Sequence, residues 1–332
     1  MGFIRVLGKQ VREASQVSAV LFRIMVPVII LVKILEELGL VGYIAAAFEP
    51  LMSLVGLPGD MGLVWATAVI TNMYGGIVVF AAMAPGLHLT TAQITVTACM
   101  ILVAHSMPVE ITIARKAGVR VRFMVPFRLL SALVLGIILN QVYSIGGFLQ
   151  GPGELLWESS TSGGSLGSWA LSQARNLAVI FLIVFVLIVL MKLLDRNGFT
   201  GVMNRALRPV LTSLGIGASA STVTILGMVL GISYGGGLII RDVSSGRVPP
   251  RDVFFSMSLM GLSHSVIEDS LLMMSLGASI TGVLVARLAF TWPVIALLVM
   301  LVKRIPDRLF YRWLFIPRKP KPVEFPPGTP TP

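Results

Sequence analysis

Every residue from Leu177 to Met191 is apolar, and Val283–Val302 carries one charge, Arg287. Runs of this kind approach the ~20 residues that a helix needs to cross the hydrocarbon of a bilayer. In hydrocarbon the backbone must satisfy its own hydrogen bonds, so such runs fold as helices. Composition agrees: 55% of the 332 residues are hydrophobic and 12% are charged, against roughly 25% charged in soluble domains. The single Cys99 excludes a disulfide scaffold. The chain is expected to be an all-α polytopic membrane protein.

A formal net charge of +11 would suit a nucleic-acid binder, but the basic residues sit at the ends of apolar runs and in the C-terminal tail. They are not interleaved with aromatic residues as in single-strand binders. Excess Lys and Arg at span ends marks the cytoplasmic side of a membrane, so the charge is read as topology. Arg5, Lys9 and Arg12 precede the apolar run Val17–Ile34, which is too long for a cleaved leader and is taken as a retained first helix. Pro317–Pro332, rich in Pro and Lys, reads as a disordered tail.

The chain contains a duplication. At a separation of 159 residues the pairs Lys33/Lys192, Gly39/Gly198, Gly42/Gly201, Pro50/Pro209, Gly56/Gly215, His105/His264, Ser106/Ser265, Gly118/Gly277 and Arg128/Arg287 are identical. Tyr74-Gly75-Gly76 matches Tyr234-Gly235-Gly236 one residue further on. Shared Gly, Pro, His and Arg are hard to obtain by chance in so apolar a chain, and a repeat of this kind organises a fold. The expected division is a cytoplasmic N-terminus (1–16), a first repeat (17–147), an external linker (148–168), a second repeat (169–303) and a basic, Pro-rich cytoplasmic tail (304–332).

Charge orients the copies. The linker segment Gln150–Gly167 holds Glu154 and Glu158 and no Lys or Arg, whereas Lys303–Lys321 holds seven basic residues against Asp307. Both termini are therefore placed in the cytoplasm and the linker outside, so each copy crosses an odd number of times and the two are inverted. Residues 33–49 are acidic where 192–208 are basic, as inversion requires; Arg241–Asp252, with three Arg against two Asp, runs the other way. Each copy reads as a long helix (Val17–Leu38, Leu177–Leu194) and a short interfacial piece (Gly42–Val55, Gly201–Leu214). A span broken at Tyr-Gly-Gly (Gly62–Met83, Val223–Ile240) and a closing helix (Phe123–Val142, Gly282–Val302) follow. That amounts to about ten crossings.

Polar residues at membrane depth are costly and usually face a cavity or one another. Gly75-Gly76 and Gly235-Gly236 fall in mid-span, and two readings compete for them: a discontinuous helix that holds a substrate, or close helix packing through small residues. The sharper signal is His105-Ser106 followed by Glu110, with His264-Ser265 followed by Glu268 and Asp269. A His and a carboxylate from each copy would make a proton- or cation-binding centre; the bland counterpart is a buried pair that locks helices together. Two His and three carboxylates also suit a borderline or hard divalent ion, though no zinc spacing is present. Arg115, Lys116, Arg120, Arg122 and Arg128 read as a cytoplasmic loop, with anionic lipid headgroups as the alternative partner. His88 and Asn72 have no twins and are given no role. No nucleophile elbow or phosphate loop occurs, so an enzyme is not expected.

The motifs Asn72-Met73-Tyr74-Gly75-Gly76 and Ser233-Tyr234-Gly235-Gly236-Gly237, each followed by His-Ser-x-x-x-(Glu/Asp), resemble the nucleoside-recognition, or Gate, domain family of bacterial membrane proteins. The whole arrangement looks like the spore maturation A and B proteins joined in one chain. Related domains occur in concentrative nucleoside transporters and bacterial ferrous iron transporters; the nucleotide-binding domain of the latter is not found in this sequence. The resemblance implies a transport-like inverted-repeat fold that self-associates.

The expectation is thus a secondary transporter of a small polar solute, nucleoside-like if the resemblance carries that far, in the bacterial cytoplasmic (inner) membrane. Tyr74, Gly75, Gly76, Tyr234, Gly235 and Gly236 would frame the substrate. His105, Glu110, His264, Glu268 and Asp269 would bind the coupling proton or cation, or a polar group of the substrate, with Ser106 and Ser265 counted in the same substrate- and ion-binding site. Alternating access would come from rocking one copy against the other. No cofactor and no nucleic acid are expected; the partners are lipid, the solute or ion, and further copies of the chain. A non-transporting scaffold and a divalent-metal permease are the alternatives.

Overall fold

The computed structural model describes residues 2–153, 165–244 and 248–317; the middle of the linker and the tail from residue 318 lie outside the described residues. Regular structure among the described residues is helical, with two isolated bridges, Thr90–Pro152 and Val119–Phe315. The first copy comprises α1 (Gly2–Glu37), α2 (Leu40–Met52), α3 (Asp60–Ile70), α4 (Met73–Met83), α5 (Thr91–Ala104), α6 (Met107–Ala117) and α7 (Val121–Gly146). The second repeats that order as α8 (Leu166–Arg196), α9 (Phe199–Ser213), α10 (Ala218–Leu230), α11 (Ile232–Ser244), α12 (Pro250–Leu262), α13 (Glu268–Met274) and α14 (Arg287–Arg304). A π-helical turn, Thr281–Ala286, leads into α14, and a short α15 (Asp307–Trp313) follows it.

Among the described residues five helical runs are long and apolar enough to cross a membrane: Gln10–Glu37, Thr91–Ala117, Val121–Gly146, Leu166–Leu194 and Thr281–Arg304. A sixth arises if Leu40–Val55 and Asp60–Ile70, bent by 91°, count as one broken span. The protein is a membrane protein with five or six such elements. The remaining apolar pieces are half-length, 11 residues in α4 and 13 in α10, so a count near ten would need these halves to be paired into spans.

Two helices organise the packing. Twelve of the 14 residues of α5 are buried, as are ten of the 13 in α12. A helix apolar on every side is stable only when surrounded. By contrast α1 and α8, which pack on each other, leave Val20, Leu31, Leu182 and Val186 exposed, the pattern of helices bathed in lipid. A capping box starts α5, with the Thr90 hydroxyl accepting from the Gln93 N–H and the Gln93 side chain accepting from the Thr90 N–H; this satisfies two orphan donors of the first turn.

The chain divides into two compact units that cut across the copies. Unit 1 is Met1–Pro108, Arg128–Thr200 and Val266–Phe290; unit 2 is Val109–Phe127, Gly201–Ser265 and Thr291–Pro332. The segments 109–127 and 266–290 are nearly equivalent in the two copies and lie in the unit that holds most of the other copy; α8 of the second copy also falls in unit 1. Each copy therefore lends the other the stretch that follows its His-Ser pair. Within unit 2, the guanidinium of Arg120 donates to the Tyr311 carbonyl at 2.9 Å, and that of Arg122 to the Trp313 carbonyl at 3.2 Å. These two arginines cap the end of α15, a specific use for part of the basic run.

Candidate functional site

The broken spans form where the backbone says they must, slightly ahead of Tyr-Gly-Gly. In the first copy the break is Thr71-Asn72, with Asn72 extended at φ −160° and its side chain accepting the Gly75 N–H at 2.9 Å. In the second copy it is Gly231, at φ +96°, a left-handed conformation that suits glycine. The Tyr-Gly-Gly motifs are the first turn of the second half-helix rather than the break itself. Asn72, given no role from sequence alone, is the N-cap that starts α4; Asn immediately before an apolar helix was the available signal.

The glycines serve close approach. A Cβ on Gly76 would collide with Ala68, one on Gly235 with the backbone of Gly227, and one on Gly236 with the side chain of Ile113 in α6. Gly76 thus lets α4 fold back onto α3, and Gly236 lets α11 lie against a helix contributed by the other copy. Gly235→Ala is expected to cost about 1–3 kcal/mol through overpacking. The thermal midpoint of the purified protein measures it; an unchanged midpoint would show that α10 and α11 separate without penalty.

The two His-Ser pairs share a left-handed serine, although α12 is capped by Ser263, one residue before His264. His105 caps α5 in an extended conformation (φ −92°, ψ 172°), and Ser106 is left-handed at φ +51°. Ser265 is left-handed at φ +43°. Such a conformation costs a non-glycine residue roughly 1–2 kcal/mol, and here it turns the chain out of one unit and into the next. The Ser106 N–H donates to the Ala68 carbonyl at 3.0 Å, fixing the corner against α3. His105 Nδ1 bonds to the Ile101 carbonyl at 2.9 Å and His264 Nδ1 to the Met260 carbonyl at 2.7 Å. A carbonyl only accepts, so Nδ1 carries the proton in both rings, and a neutral ring then presents a lone pair at Nε2.

The Nε2 of His264 meets a carboxylate from the opposite copy, and His105 lies near another. In unit 2, His264 Nε2 lies 3.3 Å from Glu110 Oε1, with both side chains 4% exposed. In unit 1, a nitrogen of His105 and a carboxylate oxygen of Asp269 lie within 4.8 Å. Tyr74, buried in the first turn of α4, is close enough to Glu268 and Asp269 to interact electrostatically with both. Unit 1 thus gathers Tyr74, His105, Glu268 and Asp269; unit 2 gathers Gly235, Gly236, His264, Ser265 and Glu110. The side chain of Tyr234 lies outside the described residues. A ring with its only proton on Nδ1 cannot bond to an ionised carboxylate through Nε2. One further proton, on the ring or on the carboxyl, is needed to join His264 to Glu110.

Arg128 belongs to this site and not to a cytoplasmic loop. It is 1% exposed, and its guanidinium donates to the Val103 carbonyl at 3.0 Å and the His105 carbonyl at 3.2 Å. These are carbonyls that the end of α5 leaves without helical partners. Its twin Arg287 is fully buried. Position in a basic run misleads here; the Arg128/Arg287 match across the duplication was the better signal.

The fold and site define a helical membrane protein with half-length helices in each copy and a buried histidine–carboxylate pair, His264 with Glu110, made between the copies. Residues 18–120 match the family model Gate, described as nucleoside recognition, a stretch that contains Asn72, Tyr74, His105 and Glu110. Over 275 residues the chain is 27% identical to the uncharacterized membrane protein YvoD of Bacillus subtilis (strain 168), covering 82% of this chain and 87% of that protein.

Proposed function

We propose that the protein is a proton-coupled secondary transporter of a small polar solute, built from two inverted repeats in the bacterial cytoplasmic membrane with both termini inside. The observation that carries this reading is the pairing of His264 of the second repeat with Glu110 of the first; His105 of the first, near Asp269 of the second, is read as its counterpart. A proton bound by such a pair acts on both repeats at once, and its loss places a lone pair against a carboxylate. Binding and release of the proton then bias the segments that pass between the repeats, which is the coupling that alternating access requires. The match of residues 18–120 to a nucleoside-recognition model puts nucleosides and nucleobases first among candidate solutes.

The test begins with thermal unfolding of the purified protein against nucleosides, nucleobases, amino acids, organic acids and divalent cations at pH 5.5 and 7.5. A solute that binds the folded state at about 100 times its Kd adds roughly 2.7 kcal/mol. The solute so found is then followed into proteoliposomes under an inward proton gradient. Uptake that collapses with a protonophore supports the proposal; gradient-independent exchange or no uptake contradicts it. Stabilisation by a divalent cation alone, lost in His105→Ala, would move the reading to a metal permease.

A further inference from the structure

Unit 1 encloses an uncharged space at the opposite end of α5 from His105. A cavity of about 220 Å³ opens between the start of α5 and the last turns of α7, lined by Gly56, Gln93, Asn140, Ser144 and Gln150 among others, with no charged side chain. Most of these polar groups are already engaged. Gln93 accepts from the Thr90 N–H at 3.0 Å and donates to the Gly56 carbonyl at 3.1 Å. Ser144 donates to the Asn140 carbonyl at 2.6 Å, and the Gln150 amide donates to the Tyr143 and Phe148 carbonyls, each at 2.9 Å. The Asn140 carboxamide is different: it makes no hydrogen bond among the described residues and rests over Gly56, where a Cβ would strike it.

The duplication supplies a control. In unit 2 the residues equivalent to Gly56, Gln93, Asn140 and Ser144 are Gly215, Asp252, Val299 and Lys303. There the Lys303 ammonium fills the space over Gly215 and interacts with Asp252, whose carboxylate accepts the Gly217 N–H at 3.1 Å. A cation near a carboxylate thus takes in one unit the place over the glycine that the neutral Asn140 carboxamide takes in the other. The first copy lacks both charges and presents a carboxamide, donor beside acceptor, to the empty volume. A charged ligand there would lose its hydration without finding a counter-charge.

The geometry points to this cavity as a binding site for a small neutral solute that bears a carboxamide or urea group, held by reciprocal hydrogen bonds to Asn140. The site stands apart from the histidine–carboxylate pairs and does not depend on their role.

The test is equilibrium dialysis of the full chain in lipid nanodiscs against radiolabelled propionamide, with propionate and propylammonium as charged isosteres. The expected result is saturable binding of one propionamide per chain, with both isosteres weaker by at least about tenfold, the worth of one hydrogen bond. Asn140→Val with Ser144→Lys installs the second copy's residues and is expected to abolish binding; Ser144→Lys alone plugs the cavity if the double variant does not fold. Asn140→Asp is expected to turn the preference towards propylammonium. Absence of saturable propionamide binding, equal binding of the three isosteres, or unchanged binding in the plugged variants would each overturn the assignment.

Discussion

Glu110→Gln and Asp269→Asn are each expected to abolish proton-driven uptake while leaving a folded protein. The Gln amide can donate to the Nε2 lone pair of His264 and so imitates the proton-loaded carboxyl, with nothing to release. Glu110→Leu differs, because it strands His264 in a site where both partners are 4% exposed; removing one member of a buried pair costs about 3–5 kcal/mol. The contrast separates two roles. If the pair only locks helices together, Gln supports full activity and Leu is merely unstable. If the pair carries the coupling proton, Gln is inactive at near-normal stability. Full uptake by both neutralised variants would end the transport assignment for these residues.

Arg128→Leu is expected to lose about 3–5 kcal/mol of stability. The substitution leaves the Val103 and His105 carbonyls buried without their donor, at roughly 1–3 kcal/mol each, and opens a void where the guanidinium lay. Arg128→Lys is expected to recover only part of this, since an ammonium cannot reproduce the planar fork that reaches both carbonyls. The single Cys99, fully buried in α5 four residues before Val103, reports the loss directly. Its reaction with a thiol-specific fluorophore on heating should begin at a lower temperature in Arg128→Leu than in the native chain. Unchanged Cys99 protection would mean that α5 ends securely without Arg128.

Much of this fold is legible in the residues. The apolar runs announce membrane helices, and the duplication fixes the order of elements, because Gly, Pro and His recur at one spacing. The His-Ser-x-x-x-carboxylate pattern names most of the polar groups that converge. What the pattern hides is who pairs with whom. Five residues separate His105 from Glu110, a distance that suggests neighbours on one turn. Yet left-handed Ser106 and Ser265 divert the chain, so that Glu110 pairs with His264 and Asp269 lies near His105, each across the two copies. Local spacing carries no information about such an exchange, which depends on two serines adopting a conformation their side chains disfavour. Arg128 is obscured for a different reason: charge runs are read by their commonest cause, and within this run only the match to Arg287 across the duplication sets apart the guanidinium that turns inward.

The measurement closest to the central claim is ¹⁵N ring NMR of the histidines. The chain has only three, His88, His105 and His264, so a protein labelled at histidine alone gives three ring systems, with exposed His88 as internal reference. The expected spectrum shows His105 and His264 carrying their proton on Nδ1 across the pH range. The Nε2 signal of His264 should change in Glu110→Gln, which trades the carboxyl at 3.3 Å for an amide donor, while that of His105 keeps its native position. A proton on Nε2 with Nδ1 bare, or an Nε2 response of His264 indifferent to Glu110→Gln, would contradict the shared-proton pair on which the account rests.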